Sequence, residues 1–141
     1  MKFGFEYKNQ TKSDFVKLAK ELAAKLKSGD VILMYGNLGA GKTYFTNKIC
    51  ACLGVKTIVN SPSYILLNEY EGKWDVYHYD LFRLSAADEV LDLGIIERLK
   101  DGITIVEWPE LIHDYLPKKR IEIYFEHNNE KRNIKIKNVE A

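Results

Sequence analysis

The segment running from Val31 to Gly54 constrains the fold more tightly than any other part of the chain. It opens with VILMY, five apolar residues of strand length, and a continuous run of that kind belongs to a strand covered on both faces, as in a parallel sheet. Next comes GNLGAGKT, Gly36 to Thr43, and then TYFTNKICACLG, which reads as a helix ending near Gly54. The spelling fits the phosphate-loop pattern GxxxxGK[ST]. A polyphosphate needs several backbone N–H groups turned inward along a tight arc, where side chains would collide with it or forbid the required dihedrals. The helix that follows aims its N-terminus at the phosphates. On this reading Gly36, Asn37, Leu38, Gly39, Ala40, Gly41, Lys42, Thr43 and Tyr44 form a nucleotide site. Lys42 places a point charge between the β- and γ-phosphates, and the Thr43 hydroxyl coordinates Mg²⁺. The competing reading is a glycine-rich turn that binds nothing, and the strand before it and helix after it argue against that.

Around this unit the chain alternates strand and helix signals. Phe3, Phe5 and Tyr7 alternate with polar residues and suggest a first strand. Phe15, Leu18, Ala19, Leu22, Ala23 and Leu26 fall at three- and four-residue spacing on one helix face. Thr11 with Asp14 fits a capping box at the helix start, and Gly29 a helix stop. TIV at 57–59 reads as a short strand and SPSY as a turn about Pro62. YILLNEY and WDVYHYD flank Glu71-Gly72-Lys73 as a hairpin. SAADEVLDLGIIERLK suggests one or two short helices with Ser85 as cap; GITIVEW is a second buried strand; RIEIYFE and KRNIKIK form a C-terminal hairpin about HNNE. The expected fold is α/β, a three-layer P-loop NTPase arrangement with a mixed parallel and antiparallel sheet, as one domain over residues 1–141.

A phosphate loop needs a second acidic group for Mg²⁺ or its water shell, usually at the end of a neighbouring apolar strand. Glu107 ends ITIVE, where strands of open α/β sheets carry ligands, and Asp80 ends YHYD with His78 two residues back on the same face. Either carboxylate serves as metal ligand or polarises a water; the plain alternative is a strand-end charge facing solvent. Lys42, Asp80 and Glu107 are therefore the catalytic candidates, and Thr43, Asp80 and Glu107 the metal candidates. Ser61 and Ser63 stand where nucleotide switches often place a hydroxyl, with an ordinary proline turn as the equal alternative. Arg83 reads either as a phosphate contact or as a surface cation. His113 and His127 read as surface residues without partners, and Trp74 and Trp108 as packing residues, with Trp108 bordering the proposed site. Lys118-Lys119-Arg120 and KRNIKIK read as solvated strand faces, with a basic edge for a protein partner or RNA as the lesser alternative.

A formal net charge of +1 gives no overall field for nucleic acid or anionic membrane. The first ten residues lack the apolar core of a signal peptide, and no run approaches membrane-spanning length. Cys50 and Cys52, the only cysteines, are too close for a useful disulfide and have no second pair for zinc. They read as reduced core thiols, and the chain as cytoplasmic.

The motifs GNLGAGKT, SPSY, YHYDLFRL and VEWPE, in that order, resemble the TsaE (YjeE) family, collinear from about Gly29 to Pro117. That family consists of small P-loop ATPases supporting bacterial synthesis of the threonylcarbamoyladenosine modification of tRNA. The resemblance implies ATP with Mg²⁺ and partnership with the threonylcarbamoyl transferase TsaD and its companion TsaB. It implies contact with tRNA through that complex, and no partnership with membrane or DNA. It further implies that Gly36 to Thr43 hold phosphates, that Thr43 and Glu107 serve Mg²⁺, and that Asp80 assists hydrolysis. Thr11 lies where the family meets the base or ribose, and Arg132 approaches the nucleotide from the C-terminal hairpin. One departure is Ser63, where the family usually has threonine; serine keeps the hydroxyl but loses the methyl that restricts its rotamer.

Three rivals remain. A small-molecule kinase on the same fold usually carries an arginine-rich lid helix, which the C-terminal third lacks. A GTPase would carry a DxxG switch, and no aspartate here has glycine three residues on. A nucleotide-dependent binding module without significant hydrolysis stays open at the level of sequence.

Overall fold

A computed structural model describes residues 1–57, 59 and 67–139. The expected strand at 57–59 and the SPSY turn with Ser61 and Ser63 lie outside the described residues, wholly or in part. Among the described residues, seven strands form one sheet in the order β1-β7-β6-β2-β5-β4-β3. They are β1 Glu6–Gln10, β2 Val31–Tyr35, β3 Leu67–Tyr70, β4 Val76–Asp80, β5 Ile103–Glu107, β6 Arg120–Asn128 and β7 Lys131–Val139. The central strands β6, β2, β5 and β4 run parallel, and β1, β7 and β3 pair antiparallel at the two edges. The mixed sheet is thus as expected. No described helix is long and apolar enough to cross a membrane.

Two helix layers sandwich the middle of the sheet. Helices α1 (Lys12–Ala23) and α2 (Lys42–Cys52) cover the face carrying Ile32, Met34, Ile105, Ile123 and Ile136. The other face, with Val31, Leu33, Tyr79 and Val106, is covered by α3 (Ala87–Leu91), α4 (Ile95–Arg98) and a 3-10 turn (Pro109–Tyr115). Both β2 and β5 are therefore buried on two sides, which is why their sequences are apolar without alternation. Trp74 packs against the first of these cores, as a packing residue should.

Local chemistry explains the element ends. Thr11 caps α1: its hydroxyl oxygen accepts from the Asp14 amide at 3.3 Å, and its own amide donates to the Asp14 carboxylate at 2.9 Å. The Thr11 amide foremost, and then the Thr11 hydroxyl donating at 3.0 Å, hold the Asp14 carboxyl below its ordinary pKa. Several expectations are corrected. The first strand begins at Glu6, not Phe3, because Gly4 adopts φ +78 and turns the chain, leaving Phe3 and Phe5 exposed. Helix α1 stops at Ala23, and buried Leu26 follows in a turn ahead of Gly29. Ser85 is not a cap; α3 starts from Ala86 with no side-chain cap.

The cysteines also divide. Cys50 is buried and Cys52 exposed, since residues two apart on a helix point about 200° apart and cannot share one core. Burial pushes the Cys50 thiol up to about 12, which suppresses its thiolate. A thiol reagent is therefore expected to modify one cysteine in the folded protein and both in denaturant. Loss of the fast phase in Cys52→Ser checks the assignment, and two equal fast phases in the native protein would contradict it.

Candidate functional site

Strand β2 delivers the chain to Gly36 at the middle of the sheet, between β6 and β5. Gly36 has φ +151, and a Cβ there would stand 2.8 Å from the Phe125 carbonyl oxygen of β6. Gly41, the N-cap of α2, has φ +106, and its Cβ would meet the Phe15 ring at 2.9 Å. Both glycines thus answer to backbone conformation and to close approach. The loop is also tied from outside. His127 Nε2 lies 3.2 Å from the Leu38 carbonyl oxygen, and Arg132 donates to the Gly39 carbonyl at 3.1 Å. In a trans peptide the carbonyl and the next N–H point oppositely, so holding the Leu38 carbonyl toward the hairpin turns the Gly39 amide away from it.

Lys42 is 5% exposed, and its ammonium donates to the carbonyl oxygens of Gly36 and Asn37. It stands 3.7 Å from the centre of the Trp108 ring, an attractive placement over an aromatic face. Burial lowers the Lys42 pKa, offset in part by the negative charges of Glu107, Asp80 and Glu110. Trp108 takes φ +58 directly after β5.

The acidic side of the site is built from the ends of β5 and β4. Thr43 donates to Glu107 at 3.0 Å to Oε1 and 3.2 Å to Oε2. Glu107 is buried, which sets aside its reading as a strand-end charge facing solvent. Asp80 stands opposite Glu107 in the parallel β4–β5 register and accepts from the Phe82 amide at 3.1 Å. A cleft of about 370 Å³ joins Leu38–Tyr44 to Asp80, Glu107 and Trp108. The structure thus brings Lys42, Thr43, Asp80 and Glu107 together. A threonine hydroxyl with one or two carboxylates is a hard-oxygen set, and this suits Mg²⁺ completed by substrate phosphates.

A second cleft of about 270 Å³ lies on the other side of the loop, where Thr11, Phe15, Gly39, Gly41, Tyr44 and Arg132 meet. Thr11 and Arg132, distant in sequence, are both on its wall. Tyr44 also lines it, and the ammonium groups of Lys12 and Lys48 lie 5.6 and 5.0 Å from its ring centre.

Three polar residues differ from their sequence reading. His127 is not a partnerless surface residue, because the hairpin carries it to the loop. His113 bonds the Tyr35 hydroxyl at 2.8 Å and Arg120 at 2.9 Å. Arg120 is correspondingly not a solvated cation: it pairs with buried Glu122 at 2.8 Å. Burial works against the Glu122 carboxylate, yet hydrogen bonds from Tyr124 and Arg120 prevail and its pKa is lowered. Arg83 is exposed just beyond β4. The contact that sequence reasoning missed most clearly is that of His78, which is buried and holds Glu107 Oε2 at 2.5 Å. Strand alternation puts it on the Asp80 face, but its partner lies on another strand.

A parallel strand, glycine loop and helix beside a second strand ending in a buried carboxylate define the P-loop NTPase fold. Within that class the chain belongs to the TsaE family. The family model described as "Threonylcarbamoyl adenosine biosynthesis protein TsaE" matches residues 9–134. Among curated proteins, the tRNA threonylcarbamoyladenosine biosynthesis protein TsaE of Bacillus subtilis is 44% identical over 108 residues, covering 75% of this chain and 67% of the relative. The protein of that name from Rickettsia conorii is 41% identical over 112 residues, covering 78% and 64%. The chain therefore spans about two-thirds of the length of these relatives. The crystal structure of Bacillus subtilis YdiB superposes with a TM-score of 0.77 at 31% identity, over 96% of this chain and 86% of that one.

Proposed function

We propose that this chain binds ATP with Mg²⁺, hydrolyses it slowly by itself, and acts as a nucleotide switch on the transferase that threonylcarbamoylates tRNA adenosine next to the anticodon. The observation that carries this reading is the gathering of Lys42, Thr43, Asp80 and Glu107 around the cleft at the head of α2. The loop amides from Gly36 to Thr43 and the Lys42 ammonium hold the β- and γ-phosphates. Thr43 and Glu107 hold Mg²⁺, directly or through its waters, and Asp80 orients the attacking water. Bound Mg²⁺ neutralises charge that develops on the phosphoryl oxygens. The base and ribose rest in the second cleft against Tyr44, with Thr11 and Arg132 at its wall. The partners are TsaD and TsaB, tRNA is met through their complex, and the setting is the cytoplasm.

The test is ATP turnover by the chain alone, with the transferase pair, with the pair and tRNA, and with candidate small acceptors. Turnover should respond to the pair, and the pair should bind the ATP form more tightly than the ADP form by about 5- to 150-fold, the usual size of a coupling between sites. Turnover that ignores the pair but rises with a small acceptor would make the protein a kinase. Binding without any turnover would make it a nucleotide-dependent module.

A further inference from the structure

Four polar side chains form a line from the β3–β4 hairpin to the end of β5. Asn68 Nδ2 lies 3.3 Å from the Tyr70 hydroxyl, that hydroxyl 3.4 Å from His78 Nδ1, and His78 Nε2 2.5 Å from Glu107 Oε2. Thr43, at the head of α2, meets the same carboxylate. The line starts on the β3–β4 hairpin and ends at the proposed metal site. A carboxylate accepts, so Glu107 takes a hydrogen bond from Nε2, while Nδ1 lies within reach of the Tyr70 hydroxyl.

We propose that His78 is a positioning residue for Mg²⁺: it clamps Glu107 Oε2 so that Oε1 stays turned to Thr43, where the metal is to be held. This rests on the reading of Thr43 and Glu107 as the metal residues. The terminal torsion of glutamate is broad and roughly two-fold, so the carboxylate does not fix its own orientation. Thr43 does not fix it either, since it reaches both oxygens at nearly equal distance. His78 breaks that tie by holding one oxygen alone. It is itself fully buried, and Tyr70 restrains its ring from the far side. Residues that orient a metal-binding group through its other atoms commonly govern affinity by about 10- to 100-fold. Because Asn68 and Tyr70 belong to the β3 edge strand, this imidazole ties that strand to the metal site, beside the β4–β5 ladder.

The experiment measures affinity for a non-hydrolysable ATP analogue in EDTA and across a Mg²⁺ titration, for the native chain, His78→Ala and His78→Gln. The glutamine amide nitrogen can stand close to where Nε2 stood and donate to Glu107. The expected result is unchanged affinity in EDTA for all three. The gain from Mg²⁺ should fall about 10- to 100-fold in His78→Ala and largely return in His78→Gln. A readout on the native protein covers the case in which both variants unfold: in ¹⁵N-histidine spectra, the His78 Nε2–H resonance should move when Mg²⁺ is added to the nucleotide-bound protein. A Mg²⁺ gain that survives intact in folded His78→Ala, or a His78 resonance indifferent to Mg²⁺ while the native affinity responds to it, overturns the positioning role alone. A native chain whose affinity takes no gain from Mg²⁺ overturns the metal reading first, and the positioning role with it.

Discussion

Lys42→Ala should weaken ATP binding by at least about 100-fold while leaving the thermal midpoint unchanged or slightly raised. A cation about 4 Å from a phosphate oxygen gains roughly 4 kcal/mol at an effective dielectric of 20, and each 1.4 kcal/mol is about tenfold in affinity. Little of that gain is lost to new desolvation, because the ammonium is already withdrawn from water: it is 5% exposed and lies against Trp108 and the carbonyls of Gly36 and Asn37. The same burial explains the stability side. Its lowered pKa means that folding disfavours the charged lysine, so at neutral pH the side chain works against the folded state. Alanine removes that opposition together with the contacts to the loop carbonyls. The pairing of lost affinity with retained stability is the signature of a group kept for its ligand. Isothermal titration and a thermal scan on the same preparation decide it, and an affinity equal to that of the native chain would remove Lys42 from the phosphate site.

What the sequence makes legible follows from how local each signal is. The unit β2–loop–α2 is written in contiguous residues, with a buried strand, glycines at fixed offsets and a helix directly after them, and it stands where expected. Thr11 and Asp14 likewise specify a helix start three residues apart. Glu107 and Asp80 could be picked out because each ends an apolar or alternating run, although only the parallel β4–β5 register shows that they face one another. The misreadings fall on side chains whose partners are remote in sequence. His127 meets Leu38 and His113 meets Tyr35, and no local pattern encodes those meetings. The first arises because β6 and β2 are neighbours in the sheet, the second because the 3-10 turn follows β5 on the other side of β2. His78 is the sharpest case, since burying an imidazole between Tyr70 and Glu107 requires three strands to be in register. The error at Phe3 and Phe5 has the opposite origin: the alternation is real, but Gly4 turns the chain before the strand begins.

The second large effect concerns Glu107, and the choice of replacement separates chemistry from architecture. Glu107→Gln should lower ATP hydrolysis by about 10²- to 10³-fold, the scale seen when one preorganised electrostatic partner is removed from a site, while nucleotide binding in EDTA stays as in the native chain. Glutamine keeps the shape and one carbonyl oxygen but carries no charge for a cation. Glu107→Ala should lose hydrolysis to a similar degree and stability as well. It leaves the half-buried Thr43 hydroxyl and the buried His78 Nε2–H without their shared acceptor, and an unmet buried polar group such as the imidazole costs about 1–3 kcal/mol. The alanine variant should therefore melt earlier than the glutamine variant, although the two are alike in turnover. Turnover with the transferase pair and thermal midpoints for both variants supply the comparison. Full partner-stimulated hydrolysis in Glu107→Gln would mean that the carboxylate at the end of β5 is an anchor for the hairpin and α2, and that the metal is held elsewhere.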